Sequence, residues 1–365
     1  MRLVATANVE SGTILGKTVR NDKGQILLSE GVELNEKMLR RLLLLGITYI
    51  YIKDSVTEGI EYIEVLPDSV RRKAVQTIET TFQELQNDSK FDTSFVIEKA
   101  SKRFKDLIRQ LLFELKNNEN LLTMLADVYT YDNYIFTHSL HVTMYSLAIG
   151  MKLKLTPKEL EILGMGAILH DVGKMKVPFE ILQKPGKLTD QEYDEIKKHP
   201  EEGFQMLRNI PAMSLIVAHC AYQHHERLNG TGYPRGIEGE DIHQLAKIIA
   251  VADVFDAVTS NRVYRDAMLP HHGLEILFAG SGTLFDPKII EAFRKGVAIY
   301  PVGITVILDD GRKGVVSKQN MGVSDRPVVR IIEENGKGTD PYELDLSISL
   351  TTMIVECDTT FPKNV

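Results

Sequence analysis

The chain has 365 residues, which at roughly 150 residues per domain allows one sizeable core with smaller attached units. A hydrophobic content of 43% with 25% charged residues excludes wholesale disorder and fibrous repeats. Forty-three basic against 50 acidic side chains give a net charge of −7, and no segment shows the basic excess expected of a protein that grips DNA or RNA by its phosphates.

Residues 1–66 alternate short apolar runs with turn signals. Asn21 to Gly24 reads as a tight turn, Asn35 caps a helix that runs to Leu45 and stops at Gly46, and Ile47 to Ile52 has the β-branched and aromatic content of a strand. The expectation is a small α+β domain of regulatory character. No apolar signal core opens the chain, and Leu42 to Leu45 with Ile47, the strongest apolar run, is far short of the roughly 18 residues of a membrane span. A cytoplasmic protein without membrane insertion is therefore expected.

Residues 67–119 repeat apolar positions at three- and four-residue spacing (Val70, Val75, Ile78, Phe82; then Phe104, Ile108, Leu111, Leu115) among Lys, Arg and Glu. They predict two amphipathic helices broken at Asn87-Asp88-Ser89. Their apolar faces need cover, which packing on the main domain supplies; a homodimer interface is the alternative.

Residues 120–298 read as an all-helical core. Thr156 with Glu159 and Thr189 with Glu192 fit capping boxes, and Asp286-Pro287 starts a last helix. From residue 299 strands surround Asp309-Asp310-Gly311 and Glu334-Asn335-Gly336, predicting a small β-rich appendage that ends near Val355. The fold class expected is mainly α. Cys220 and Cys357 are distant and lack CxxC spacing, so neither a disulfide framework nor a cysteine zinc site is expected, and Cys220 reads as a small buried apolar side chain.

All ten histidines lie between His138 and His272. Such clustering points to a metal or catalytic site. Its sharpest element is Leu169-His170-Asp171-Val172-Gly173-Lys174, at the end of an apolar helix. Adjacent imidazole and carboxylate can approach two neighbouring ions from one point, and a carboxylate's two oxygens can bridge them. Lys174 can return to the same pocket to meet an oxyanion. Companions are His138 within a helix, His199 before Pro200 and so expected at its helix's end, His224-His225-Glu226 before a glycine-rich loop, and Asp253 in an apolar helix where an unpaired charge would be costly.

These elements, with Asn229-Gly230-Thr231-Gly232-Tyr233-Pro234 and Asp253-Val254-Phe255-Asp256-Ala257 followed by Arg262 and Arg265, resemble in content and order the HD-GYP branch of the HD phosphohydrolase superfamily over roughly residues 126–298. The resemblance implies an HD-type helical domain holding two divalent metal ions, iron or manganese, and hydrolysing cyclic di-GMP to linear pGpG, with GMP as a further product. Carried over by position, it implies His138, His170, Asp171 and Asp253 as one ion's ligands and Asp171, His199, His224 and His225 as the other's. Imidazole and carboxylate together do not select the ion. Lys174, Arg262 and Arg265 would meet substrate phosphate, and Gly232, Tyr233 and Pro234 would shape the site or contact protein partners. Some members add a third metal through a glutamate four residues before the first histidine; here Tyr134 holds that position, and two metals are expected.

Blander readings stand beside these. His141 shares the helix face of His138, so spacing alone could choose it as ligand, whereas the resemblance favours His138. His219 reads as a packed residue, and His243, His271 and His272 as solvated. Asp256 reads as a partner that orients a ligand histidine. Two other functions compete with the phosphodiesterase: a cyclic di-GMP receptor or partner-binding module without turnover, and an HD hydrolase of another nucleotide.

Overall fold

Short β-branched and aromatic runs build sheets from both ends of the chain, and long apolar periodicities build helices between them. A computed structural model describes residues 1–21, 25–61, 66–87, 93–117, 134–182, 184, 186–210, 213–260, 268–320 and 322–360. The expected turn at Asn21 to Gly24, the helix break after Asn87, and both Arg262 and Arg265 lie largely or wholly outside those residues.

Strands β1 (Arg2–Ala5), β2 (Ile14–Leu15), β3 (Val19–Arg20) and β4 (Ile26–Leu28) precede α1 (Glu36–Leu44), and β5 (Tyr49–Lys53) follows it. Asn35 accepts from the Met38 amide at 3.0 Å, the cap anticipated from the sequence. The sheet order is β1-β5-β2, antiparallel, with β3 and β4 as a separate ribbon.

Helices α2 (Asp68–Asn87) and α3 (Thr93–Asn117) lay Val70, Ile78, Phe82, Phe104, Ile108 and Leu111 into one buried cluster with α4 (Tyr134–Lys152) and α5 (Pro157–Leu169). Each such fully buried side chain contributes about 1.5–3 kcal/mol. The amphipathic pair is thus covered by the helical domain and is part of its core. After a 3-10 turn at Val172–Lys176 come α6 (Phe179–Leu182), α7 (Asp190–Ile196), α8 (His199–Leu207), α9 (Leu215–Gln223), α10 (Gln244–Thr259), α11 (Pro270–Ala279) and α12 (Pro287–Gly296). Both capping boxes form, at Thr156 and at Thr189. Helix α4 is buried on every side from Thr137 to Gly150, and two of its hydroxyls turn back to their own helix: Ser139 donates to the Ile135 carbonyl and Thr143 to that of Ser139.

The C-terminal region forms one antiparallel sheet in the order β10-β6-β7-β8-β9, from β6 (Thr305–Leu308), β7 (Lys313–Lys318), β8 (Val328–Glu334), β9 (Lys337–Asp345) and β10 (Ile354–Asp358). It runs past Val355, and it is not a free appendage. Leu3 and Ile304 form a parallel bridge, the Leu3 amide donates to the Gly303 carbonyl at 2.8 Å, and the Tyr51 hydroxyl donates to that of Val302 at 3.1 Å. Leu3, Tyr51, Leu269, Ile304, Val306, Val316, Val329 and Ile331 then bury one another. The first sheet also has a core of its own against α1, including Val4, Leu15, Leu34, Leu42, Ile47 and Ile52, so it buries its other residues there and gives Leu3 and Tyr51 to the core shared with the C-terminal sheet.

Candidate metal centre

Three helix ends and two helix interiors converge on one buried point. His170 caps the C-terminus of α5, with Asp171 next; His199 opens α8; His224 caps the C-terminus of α9, with His225 next; His138 and Asp253 come from within α4 and α10. His199 is the first residue of its helix, not the last as its proline neighbour suggested. Pro200 fits there because a first-turn residue has no helical partner for the N–H that proline lacks.

Three imidazoles are oriented by one local device. The Nδ1–H groups of His170, His199 and His224 donate to the carbonyls of Ala167, Ile196 and Ala221, each three residues back, at 2.7, 2.7 and 2.9 Å. Those carbonyls belong to the last turns of α5, α7 and α9, where helix geometry leaves acceptors unused. With the proton assigned to Nδ1 by these bonds, every Nε2 presents a lone pair to the interior.

Asp171 sits among them, 1% exposed. Its Oδ1 lies 3.3 Å from His199 Nε2 and 3.8 Å from His224 Nε2; its Oδ2 lies 3.4 Å from His170 Nε2, 3.6 Å from His138 Nε2 and 2.5 Å from Lys174 Nζ. Two donor sets follow, Asp171 with His199, His224 and His225, and Asp171 with His138 and His170, each with its ligating atoms within 4.8 Å of one another. Asp253 borders the second set, its Oδ1 3.2 Å from His138 Nε2, and reaches the first through Oδ2, 3.7 Å from His225 Nδ1.

The electrostatics are those of a site built around cations. Burial opposes ionisation of Asp171, yet the Lys174 ammonium and the imidazoles hold its carboxyl well below the ordinary range. Asp253 is likewise held low against burial by the bond from His138 and the charge of His225. Burial, with neighbouring imidazoles, drives His224 and His225 well below the usual histidine value. His138 moves the other way: burial opposes its charge, but hydrogen bonds to Asp253 and Asp256 raise it to about 9. His170 Nε2 and Asp171 Oδ1 are buried without a hydrogen-bond partner. Such orphaned atoms are costly. A divalent ion in each donor set would satisfy both, so the residues fit the group, and the cluster is one that binds divalent metals.

The glycine-rich loop closes one side. A Cβ on Gly232 would fall 2.4 Å from Glu226 Cα and 2.5 Å from the His225 carbonyl, so only glycine permits this approach. The Tyr233 amide donates to the His225 carbonyl at 3.3 Å, and its ring stacks on the His225 imidazole with centroids 4.6 Å apart. Pro234 follows in the same turn. Glu226, 2% exposed, accepts from the Arg235 and Ile237 amides at 2.9 and 3.2 Å and ties the loop down. Sequence reasoning quoted Glu226 without a role; the available signal was a carboxylate directly before a loop full of free amides.

Asp256 accepts from His138 Nδ1 at 2.7 Å and from His141 Nδ1 at 2.8 Å. His141 is therefore committed to a carboxylate and stands outside both donor sets. His219 packs on Phe204. His243 is not simply solvated, since its Nδ1 accepts from the Leu245 amide and caps α10. Nor is His271, half-buried 3.4 Å from Cys357 Sγ because the shared core of the chain ends presses on α11. His272 is exposed, as expected, and Cys220 is fully buried, its thiol pushed up to about 12. Tyr134 begins α4, and its side chain lies outside the description.

A helical bundle whose helix ends present histidines around a shared aspartate defines a metal-binding helical domain. The chain belongs to the HD domain family, whose model matches residues 104–289. It is 40% identical over 215 residues to a cyclic di-GMP phosphodiesterase of Pseudomonas aeruginosa (59% of this chain, 52% of that protein). It is 43% identical over 151 residues to the cyclic di-GMP phosphodiesterase response regulator RpfG of Xanthomonas campestris (41% and 40%), and 36% identical over 168 residues to a 3'3'-cGAMP-specific phosphodiesterase of Vibrio cholerae (46% and 36%). The chain spans about half or less of the length of these relatives. Among the described residues no helix is long and apolar enough to cross a membrane.

Proposed function

We propose that this chain hydrolyses cyclic di-GMP to linear pGpG, with GMP as a further product, using two divalent metal ions, iron or manganese. The observation that carries the reading is Asp171, one buried carboxylate whose two oxygens face two separate sets of imidazoles. His138, His170, Asp171 and Asp253 would hold one ion, and Asp171, His199, His224 and His225 the other. When bound, the pair supplies Lewis-acid activation of the scissile phosphodiester and of water.

The chain's own residues do the rest. Lys174, 19% exposed beside Asp171, offers a positive charge to the phosphate oxygens as charge grows toward the transition state, joined by Arg262 and Arg265. The carbonyl-bonded Nδ1–H groups hold each imidazole in the tautomer that leaves Nε2 free to bind. Tyr233, its phenol kept protonated by burial, walls the site with its ring against His225, while Gly232 and Pro234 set the loop's path. The same loop, Asn229 to Pro234, is offered to protein partners, and the joined N- and C-terminal units are the regulatory part of a cytoplasmic enzyme.

A second substrate, 3'3'-cGAMP, is favoured by the 36% identity to a phosphodiesterase specific for it. One experiment tests both. The protein, purified without chelator, is assayed for metal per chain and incubated with each dinucleotide under reducing conditions, and products are separated by chromatography. Two metals with pGpG appearing supports the proposal; faster cleavage of 3'3'-cGAMP selects the second substrate; two metals, reconstituted as Fe(II) or Mn(II), with cyclic di-GMP bound but intact overturns hydrolysis.

A further inference from the structure

The imidazoles around Asp171 are not backed alike. His170, His199 and His224 lean on neutral backbone carbonyls. His138 leans on a carboxylate: Asp256 Oδ2 lies 2.7 Å from its Nδ1. The same carboxylate uses Oδ1 to accept from His141 Nδ1 at 2.8 Å and from Ser260 Oγ at 2.9 Å. His138, His141 and Asp256 are 2%, 3% and 1% exposed.

We propose that His141 is a positioning residue: by pinning Oδ1 of Asp256 it aims Oδ2 at His138, and so sets the strength of the metal position that His138 helps to hold. The inference rests on the reading of His138 as a ligand. His141 follows His138 by three residues, so both imidazoles stand on one face of α4 and clamp one carboxylate of α10 between them. A carboxylate turns easily about its last side-chain torsion, which has no sharp staggered well. One hydrogen bond therefore does not orient it; a donor on each oxygen does. The Ser260 hydroxyl also reaches Oδ1, but a hydroxyl swings about its own bond whereas the His141 ring is held in a buried helix, so the imidazole is the donor that fixes the direction.

The consequence is an asymmetry between the two metal positions. A carboxylate partner makes an imidazole a stronger ligand than a carbonyl partner does, and removing such support typically weakens metal binding 10–100-fold. Among the described residues the hydrogen-bonded carboxylate support is found at His138, in one donor set, and it is relayed through a residue that belongs to neither set.

The test compares His141→Leu, which removes the imidazole donor and leaves Oδ1 to the Ser260 hydroxyl alone, with His141→Asn, whose amide nitrogen occupies nearly the place of the imidazole Nδ1. Metal-free full-length protein is titrated with Mn(II) against a chromophoric chelator, and thermal unfolding of the metal-free forms is followed in parallel. His141→Leu should weaken one of the two Mn(II) sites by about tenfold and leave the other unchanged, with His141→Asn restoring it. Two unchanged affinities in His141→Leu, or both weakened equally alongside lower metal-free stability, overturn the proposal and leave His141 a packing residue. If His141→Leu does not fold, His141→Gln, whose amide is displaced from the Nδ1 position, is read by the same two outcomes. Wild-type protein that binds no Mn(II) would instead refute the metal-centre reading itself.

Discussion

His199 and His224 face each other Nε2 to Nε2 across 3.3 Å, while the Nδ1–H of each is already given to a backbone carbonyl. Neither ring then has a proton for the other. Two lone pairs at that distance call for a cation. Thermal unfolding should therefore depend on free metal: at 100 times the dissociation constant the native state gains about 2.7 kcal/mol over chelated protein. A midpoint that does not move when chelator is replaced by Mn(II) or Fe(II) would contradict this.

Asp171→Ala removes the one residue common to both donor sets. Elemental analysis should find both metals lost, and chromatography no turnover, with helical circular dichroism retained. Near-normal metal content in this variant would rule out the bridging role.

Gly173 lets the turn after Asp171 touch the start of α8. An added Cβ would fall 2.0 Å from the His199 carbonyl and 2.6 Å from the Gly203 amide nitrogen, both backbone atoms. Gly173→Ala should cost at least about 1–3 kcal/mol in denaturant unfolding and displace His199, lowering metal content as well. Wild-type values for both would show that this approach is not needed.

Glu226→Ala strands the Arg235 and Ile237 amides that the buried carboxylate now accepts from. The expected loss is roughly 2–4 kcal/mol, with Tyr233 freed from His225. Glu226→Gln keeps one acceptor oxygen and should lose about half as much. The KM for the dinucleotide should rise more than kcat falls if the loop chiefly shapes the entrance.

His271 makes a pH prediction away from the metals. Burial, helped by His272, lowers it to about 4. The unfolded chain, with an ordinary imidazole value of about 6.5, binds its proton first as pH falls. Stability from this group is therefore whole above 6.5 and is lost as pH falls through 4. Chelated wild-type protein should lose more stability over that interval than chelated His271→Phe; parallel profiles would show that His271 binds its proton equally in the folded and unfolded chain.

Much of the site was legible because its chemistry is concentrated in residue types that have few other reasons to cluster. His170-Asp171, His224-His225 and an aspartate inside an apolar helix each stood out in the sequence, and the capping signal at Thr156 placed the helix that ends at His170, as those at Thr189 and Asp286 placed two neighbouring helices. What stayed hidden depends on partners distant in sequence. Nothing local to His141 reveals that its proton goes to Asp256, 115 residues away, and nothing near Gly173 reveals the backbone of His199 against it. The same holds for Leu3 and Ile304, whose apolar character announced burial but not against what.

That last pairing bears on how the protein is made. Leu3 and Tyr51 leave the ribosome some 250 residues or more before Ile304 and Val316, the residues that will cover them. At about 5–20 residues per second the wait lasts on the order of 10–60 s. Over that interval the helical domain, whose contacts close among residues 66 to 299, can complete its core while the first sheet stands half-covered. The opening strand of the chain is thus among the last to reach its final environment, and it is the natural place for a chaperone to hold.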